Sequence, residues 1–176
     1  MVDGYCPWHK MYNATPVTRQ KTLLVLNQGA HFHSIGSFTR SMDQFVDLYH
    51  SIAHSDDLLF YRSTVPGHKD CFVQKNISIP EMTHDKFLEM YATTEFTWNL
   101  FDEYNTIAKQ KLEEIRLVNR MQHVYYLNVY NMTVLRHDMH ISANDCLHYM
   151  GVGPVDYWNH FLFTNLAELA ATVEEK

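Results

Sequence analysis

The run Thr22-Leu23-Leu24-Val25-Leu26 is apolar at every position after the threonine, the pattern of a short strand buried on both faces. It exits abruptly into Asn27-Gln28-Gly29-Ala30-His31. From Ser41 to Ala53 the period changes, with Met42, Phe45, Val46, Tyr49 and Ile52 at the spacing of an amphipathic helix. Leu58-Leu59-Phe60-Tyr61 then reads as a second buried strand, and Ser63 to Pro80, which holds Pro66, Gly67 and Pro80 without a sustained period, as an ordered loop leaving it. Thr83 can cap a following helix. From His84 to about Leu117 one apolar stripe runs through Phe87, Met90, Tyr91, Trp98, Phe101, Tyr104, Ala108, Leu112 and Ile115, long enough for two helices or one bent one. Val124-Tyr125-Tyr126-Leu127 is a third strand candidate. A last helix starts near Pro154 or Asp156, with Trp158, Leu162, Leu166, Leu169 and Val173 along one face.

Strands alternating with helices predict a three-layer α/β sheet with parallel strands, because the intervening helices are long enough for crossover connections. At 176 residues and 46% hydrophobic, the chain predicts one domain with a well-buried core. Ligands of open parallel sheets gather beyond the carboxyl ends of the strands, which draws attention to Asn27, Arg62 and the segment Asn128 to His148. The net charge of −6, without any basic block, argues against a nucleic-acid or anionic-membrane partner. No apolar run is long enough to cross a bilayer, and the first residues lack the pattern of a signal peptide.

Asp145 and His148 stand three apart, before a Gly/Pro-containing turn, and in a turn or short helical piece their side chains can face the same way. The carboxylate can accept from one imidazole nitrogen and leave the other as a base; alternatively Asp145 caps a turn and His148 bonds to backbone. Asn27, followed by Gly29, can offer an amide and a close backbone N–H to an oxyanion, or simply make a turn. Arg62, placed directly after a strand, can anchor an acidic group, clamp one loop to another, or tie its loop to its own backbone. His137, Asp138, His140, Asp145 and His148 crowd into one segment, and His31 and His33 lie at another strand exit, but the spacings match no specific metal motif.

These pieces together resemble a family. Asn27-x-Gly29-x-His31 after a strand, Arg62-x-x-x-Pro66-Gly67-His68-x-x-Cys71, Trp98, Arg136-His137-Asp138-x-His140, Asp145-Cys146-x-His148-Tyr149 and Asp156-Tyr157-Trp158-Asn159 look like the PC-esterase branch of the SGNH (GDSL-like) hydrolases. That branch includes the trichome-birefringence-like polysaccharide O-acetyltransferases. The resemblance spans about residues 21 to 168 in the family's order. It implies a flavodoxin-like α/β/α domain and serine-dependent transfer or hydrolysis of a small acyl ester on a carbohydrate hydroxyl, without a cofactor or metal. Carried onto this chain, Asp145 orients His148, His148 is the general base and acid, and Asn27 matches the block supplying an oxyanion donor; Gly29 and Arg62 stand beside them as oxyanion or substrate-binding candidates on the reading of the residues above.

The family's nucleophile lies in a Gly-Asp-Ser element after its first strand. That tripeptide does not occur here. The expectation is therefore an incomplete domain lacking the nucleophile and first strand, with an upstream segment supplying the serine or with Ser34, Ser37, Ser41 or Ser63 as a replacement. A non-catalytic domain that binds a glycan or protein, and a metal-assisted hydrolase built on the histidine-rich segment, are the competing expectations. Cys71 and Cys146 fall in the two polar loops of the proposed site, where a disulfide would tie them in an oxidising lumen; reduced cysteines remain open and Cys6 is unassigned. Glycosylation triplets at Asn13, Asn76 and Asn131 agree with a secretory or extracellular location for the parent protein.

Overall fold

The computed structural model describes residues 22–71, 83–91, 97–119, 123–142 and 144–174, without the side chains of 118, 119 and 172–174. Residues 72–80 of the expected loop, Cys6, the triplets at Asn13 and Asn76, and the side chain of Val173 lie outside the described residues. The single domain expected from length resolves into two compact units, one within Met1–Thr64 and Leu100–Tyr126, the other within Val65–Asn99 and Leu127–Lys176.

The first unit is built on a three-stranded parallel sheet of order β1-β2-β3, formed by β1 (Leu23–Leu26), β2 (Leu58–Arg62) and β3 (Val124–Leu127). β1 runs parallel to β2, with Leu23 opposite Leu58 and Leu26 opposite Tyr61. In the central strand Leu59, Phe60 and Tyr61 are all buried, as an uninterrupted apolar run predicts. β1 differs from expectation: Leu23 and Val25 are each 44% exposed while Leu24 and Leu26 are half-buried. Its residues alternate between a covered face and an open one among the described residues, a distinction that four apolar positions in a row conceal. The buried Asp57 carboxylate sets the entry to the sheet by accepting from the Thr22 N–H at 3.1 Å and the His54 N–H at 2.9 Å.

Helix α1 (Ile35–Ile52) follows β1. It begins before the stripe at Ser41 because Ser34 is an N-cap: its extended backbone stops the helix and its Oγ accepts from the Ser37 N–H at 3.2 Å. At the other end the Ala53 N–H closes on the Tyr49 carbonyl at 2.8 Å. The long stripe after His84 is two helices, α2 (His84–Tyr91) and α3 (Phe101–Asn119), with a 3-10 turn at Trp98–Leu100 before the second. α1 packs on α3, where Phe38 stacks on Tyr104 at 4.5 Å between ring centroids and Lys111 pairs with Asp43 at 2.9 Å. Phe38, Met42, Phe45 and Tyr49 of α1 and Phe101, Tyr104, Ala108, Leu112 and Ile115 of α3 are buried. Each large side chain of this set contributes roughly 1.5–3 kcal/mol through burial.

The second unit contains α2, α4 (Tyr130–Thr133), a 3-10 turn at His137–Met139, an antiparallel hairpin of β4 (His140–Ser142) and β5 (Asp145–Tyr149), and α5 (Pro154–Glu174). α2 starts where Thr83 Oγ1 accepts from the Lys86 N–H at 3.2 Å. α5 starts with Pro154, and Asp156 reaches back to accept from the Gly153 N–H at 2.9 Å, half of a capping box. The Trp158 indole N–H donates to Thr133 Oγ1 at 2.8 Å, and that hydroxyl donates to the Val129 carbonyl at 2.6 Å, so α5 is tied to α4. The expected face of α5 is half-buried at Trp158, Leu162, Leu166 and Leu169. Among the described residues no helix is long and apolar enough to cross a membrane.

Gly29 is the position in the first unit where only glycine fits. Its φ of 151° lies where side chains are strained, and a Cβ there would collide with the Thr64 side chain. Gly29→Ala should destabilise the protein by about 2–4 kcal/mol, read from the denaturation midpoint. An unchanged midpoint would show that the loop after β1 rearranges freely.

Candidate functional site

The second unit fastens the loop Val65–Cys71 onto β5 at successive points. The Tyr149 hydroxyl donates to the Pro66 carbonyl at 2.7 Å, the His68 N–H donates to the Cys146 carbonyl at 2.8 Å, and Cys71 is disulfide-bonded to Cys146. Gly67 permits this approach, since a Cβ there would lie 2.5 Å from the Trp98 ring and 2.6 Å from the Cys146 carbonyl oxygen. The disulfide closes a chain segment of 75 residues, a constraint on the unfolded chain of about 4 kcal/mol.

Asp145 and His148 sit within β5, not in the turn or short helical piece that their spacing suggested. Residues three apart in a regular strand point to opposite faces. Here the Asp145 carboxylate folds back along the strand: Oδ1 accepts from the backbone N–H groups of Leu147 at 3.1 Å and His148 at 3.0 Å. This local turn brings the ring round, so His148 Nδ1 lies 2.8 Å from Asp145 Oδ2. The carboxylate thus caps backbone through Oδ1 and holds the imidazole chiefly through Oδ2, so Asp145 caps as the alternative expected while the ring pairs with the carboxylate and not with backbone. The His148 N–H first, and its ring second, hold the Asp145 carboxyl down to about 2, so it is ionised across the neutral range. An ionised carboxylate only accepts, so it fixes the ring with hydrogen on Nδ1 and the lone pair on Nε2. The His148 side chain is 66% exposed, and Nε2 makes no hydrogen bond among the described residues.

Asn27, Gly29 and Arg62 belong to the first unit. Asn27 Nδ2 donates to the Arg62 carbonyl at 2.8 Å and to Thr64 Oγ1 at 3.1 Å, which engages both amide hydrogens. Thr64 Oγ1 and the Tyr61 hydroxyl in turn donate to the Gln28 carbonyl at 2.7 and 3.0 Å. In this arrangement Asn27 ties the exits of β1 and β2 together, and its N–H groups are not offered outward. Arg62 donates to the Ser63 carbonyl at 3.0 Å, a tie to its own loop, and burial lowers its pKa. Among the serines considered as nucleophiles, Ser34 caps α1, Ser37 donates to the Ser34 carbonyl at 2.8 Å, Ser41 reaches Gln28 at 3.4 Å, and Ser63 is fully buried.

The histidine-rich segment is spent on structure. Arg136 grips Asp138 through two hydrogen bonds, at 2.9 and 3.0 Å, and the same pairing keeps that carboxyl low despite burial, which opposes it. His140 is 1% exposed, stacks on Tyr149 at 4.4 Å, and approaches His68 at 2.8 Å. His137 is fully buried, with no hydrogen-bond partner on either ring nitrogen among the described residues. Among the described residues no group of three His, Cys, Asp or Glu side chains is placed to hold a metal ion. Sequence reasoning noticed His68, His140 and Tyr149 separately but not that they meet; His68 and His140 are 72 positions apart, and neither carries a periodic signal of burial.

Comparison of the chain with protein-family models, with curated proteins and with solved structures yields no match.

Burial drives the His68 ring down to about 3, against a hydrogen bond to the Val134 carbonyl that opposes the shift. The unfolded ring takes a proton near 6.5, so between these values the folded state binds fewer protons than the unfolded one. The stability linked to this neutral ring is therefore complete above about 6.5 and lost as the pH falls towards 3. Between pH 7 and 4 the loss should be about 3 kcal/mol by urea unfolding, over and above that of His68→Gln, whose amide still reaches Val134. Parallel curves for the two proteins would show that His68 is charged or exposed.

Proposed function

We propose that the second unit carries the acid–base half of an acyl-transfer site, in an esterase or O-acyltransferase acting on a carbohydrate hydroxyl. The observation that supports it is the pairing of Asp145 Oδ2 with His148 Nδ1 at 2.8 Å, with Nε2 left open on an exposed ring. The resemblance to the PC-esterase branch of the SGNH hydrolases names the chemistry, and in this reading the parallel sheet of the first unit is part of a flavodoxin-like three-layer fold. In this reading the nucleophile is a serine that an upstream segment or a partner chain would supply.

In the first half-reaction His148 Nε2 takes the serine Oγ proton as Oγ attacks the acyl carbon. The Asp145 carboxylate supports the imidazolium that results, without itself accepting a proton. Collapse of the tetrahedral oxyanion breaks the bond to the leaving hydroxyl, which recovers the proton from Nε2 and leaves an acyl-serine. Water or a second sugar hydroxyl then attacks the acyl group, with Nε2 again the base, and the serine is reprotonated. No cofactor enters this cycle.

The test is acetate release from O-acetylated oligosaccharides by the complete protein. His148→Ala should abolish turnover while the variant melts as the parent does. Asp145→Asn should lower kcat about 10²–10⁴-fold with little change in KM, because the wrong tautomer is then free to form. Equal turnover by folded His148→Ala and parent removes His148 from the mechanism. Saturable glycan binding without turnover by the parent refutes the catalytic reading, and activity lost to a chelator and restored by one divalent metal refutes the serine-dependent route.

A further inference from the structure

His68 and His140 form a chain of two imidazoles between two backbone carbonyls. His68 Nε2 lies 2.7 Å from the Val134 carbonyl oxygen, His68 Nδ1 lies 2.8 Å from His140 Nε2, and His140 Nδ1 lies 3.1 Å from the His148 carbonyl oxygen. Carbonyl oxygens only accept, so both outer nitrogens must carry hydrogen for both outer bonds to exist. The central bond needs a third hydrogen, and two neutral imidazoles have only two. The Tyr149 hydroxyl, 3.4 Å from His68 Nδ1, cannot supply it, because its hydrogen is committed to the Pro66 carbonyl at 2.7 Å. With both rings neutral, one of the three contacts must therefore go unmade.

The surroundings decide which. Releasing Val134 strands a carbonyl beside a fully buried ring at a buried residue. Releasing the central contact leaves two lone pairs facing each other at 2.8 Å. Releasing the His148 carbonyl costs least, since at 3.1 Å that contact is the longest of the three and is part-buried where the other two are buried. The neutral pair then has hydrogen on Nε2 of both rings, each bond pointing away from His148. One more proton, on His140 Nδ1, completes all three hydrogen bonds.

We propose that His140 is a positioning residue for His148, its Nδ1–H holding the His148 main-chain carbonyl only when the ring is protonated, and that His68 sets the tautomer which leaves that carbonyl loose otherwise. The functional half of this statement rests on the reading of His148 as the general base; the proton arrangement does not. Several groups face the pair. Asp145 of β5 and Asp138 of the 3-10 turn favour the charge on His140, while His137 opposes it. Asp138 is shared with Arg136, Tyr149 of β5 stacks on the His140 ring, and Tyr91 of α2 meets His68 edge-on at 6.3 Å. Burial is the largest influence and lowers His140 below the ordinary histidine value, so the toggle operates on the acidic side of that value.

The experiment is two-dimensional NMR of the complete protein labelled with 15N in its histidine rings and 13C in its backbone carbonyls, titrated from pH 8 to 4. The expected result is a neutral Nε2–H ring at His68 throughout and an Nε2–H ring at His140 that becomes doubly protonated with a midpoint below about 6.5. The His148 carbonyl resonance should move with the same midpoint. In His140→Asn, whose side-chain amide places a permanent donor near the Nδ1 position, that carbonyl should lose its pH step. A His140 ring that keeps Nδ1–H at neutral pH, or a His148 carbonyl that titrates independently of it, overturns the proposal from the parent protein alone, whether or not the variant folds. Loss of esterase activity as a finding would remove the catalytic role of His148 and leave these resonances unchanged.

Discussion

The second unit depends on the attachment of the Val65–Cys71 loop to β5. The strand is short, and only Tyr149 of its residues is buried, so it has little apolar burial of its own to fix its shape. A disulfide, a backbone hydrogen bond to the Cys146 carbonyl and a buried tyrosine hydroxyl supply what burial does not. Gly67 is the condition for all of them, since any side chain there would push the loop off the strand. With β5 held in this way, Asp145 can bend back on the amides of Leu147 and His148 and still reach the imidazole.

Beneath the strand lies a polar interior that is only partly satisfied. Tyr149, His68 and His140 are connected, and among the described residues His137 is buried without a hydrogen-bond partner. A buried polar group without a partner costs about 1–3 kcal/mol, so the apolar packing of Phe87, Tyr91 and Trp98 and the disulfide must offset it. Such a cost in the shell behind a paired carboxylate and imidazole agrees with the tendency of strain and perturbed titration to gather at functional positions. In the first unit the ties from Asn27 to Arg62 and from Asn105 to Thr64 serve the sheet, while His50 Nε2 is buried without a hydrogen bond among the described residues.

The parts of the fold that were legible in the sequence are those governed by burial. Leu58 to Tyr61 and Val124 to Leu127 form strands because their apolar runs have no helical period, and α3 follows its stripe from Phe101 to Ile115. Boundaries set by hydrogen bonds were less visible. α1 starts at a serine cap followed by Gly36 and Ser37, which look like loop residues, and the β4–β5 hairpin was missed because its strands are short, mix polar and apolar residues without a clear alternation, and pair in an irregular register. In the candidate site, Asp145 and His148 were legible since their pairing is local, whereas the engagement of Asn27 by Arg62 and Thr64, and of His68 by His140, joins residues 35 to 72 positions apart. No residue spacing encodes such contacts.

The central claim is that β5 arrives with its carboxylate and imidazole already paired. The most direct measurement is the titration of the Asp145 side-chain carboxyl carbon by NMR. A paired and backbone-bonded carboxylate should titrate with a midpoint of about 2. A midpoint near 3.9, the value of an aspartate without such partners, would contradict the account.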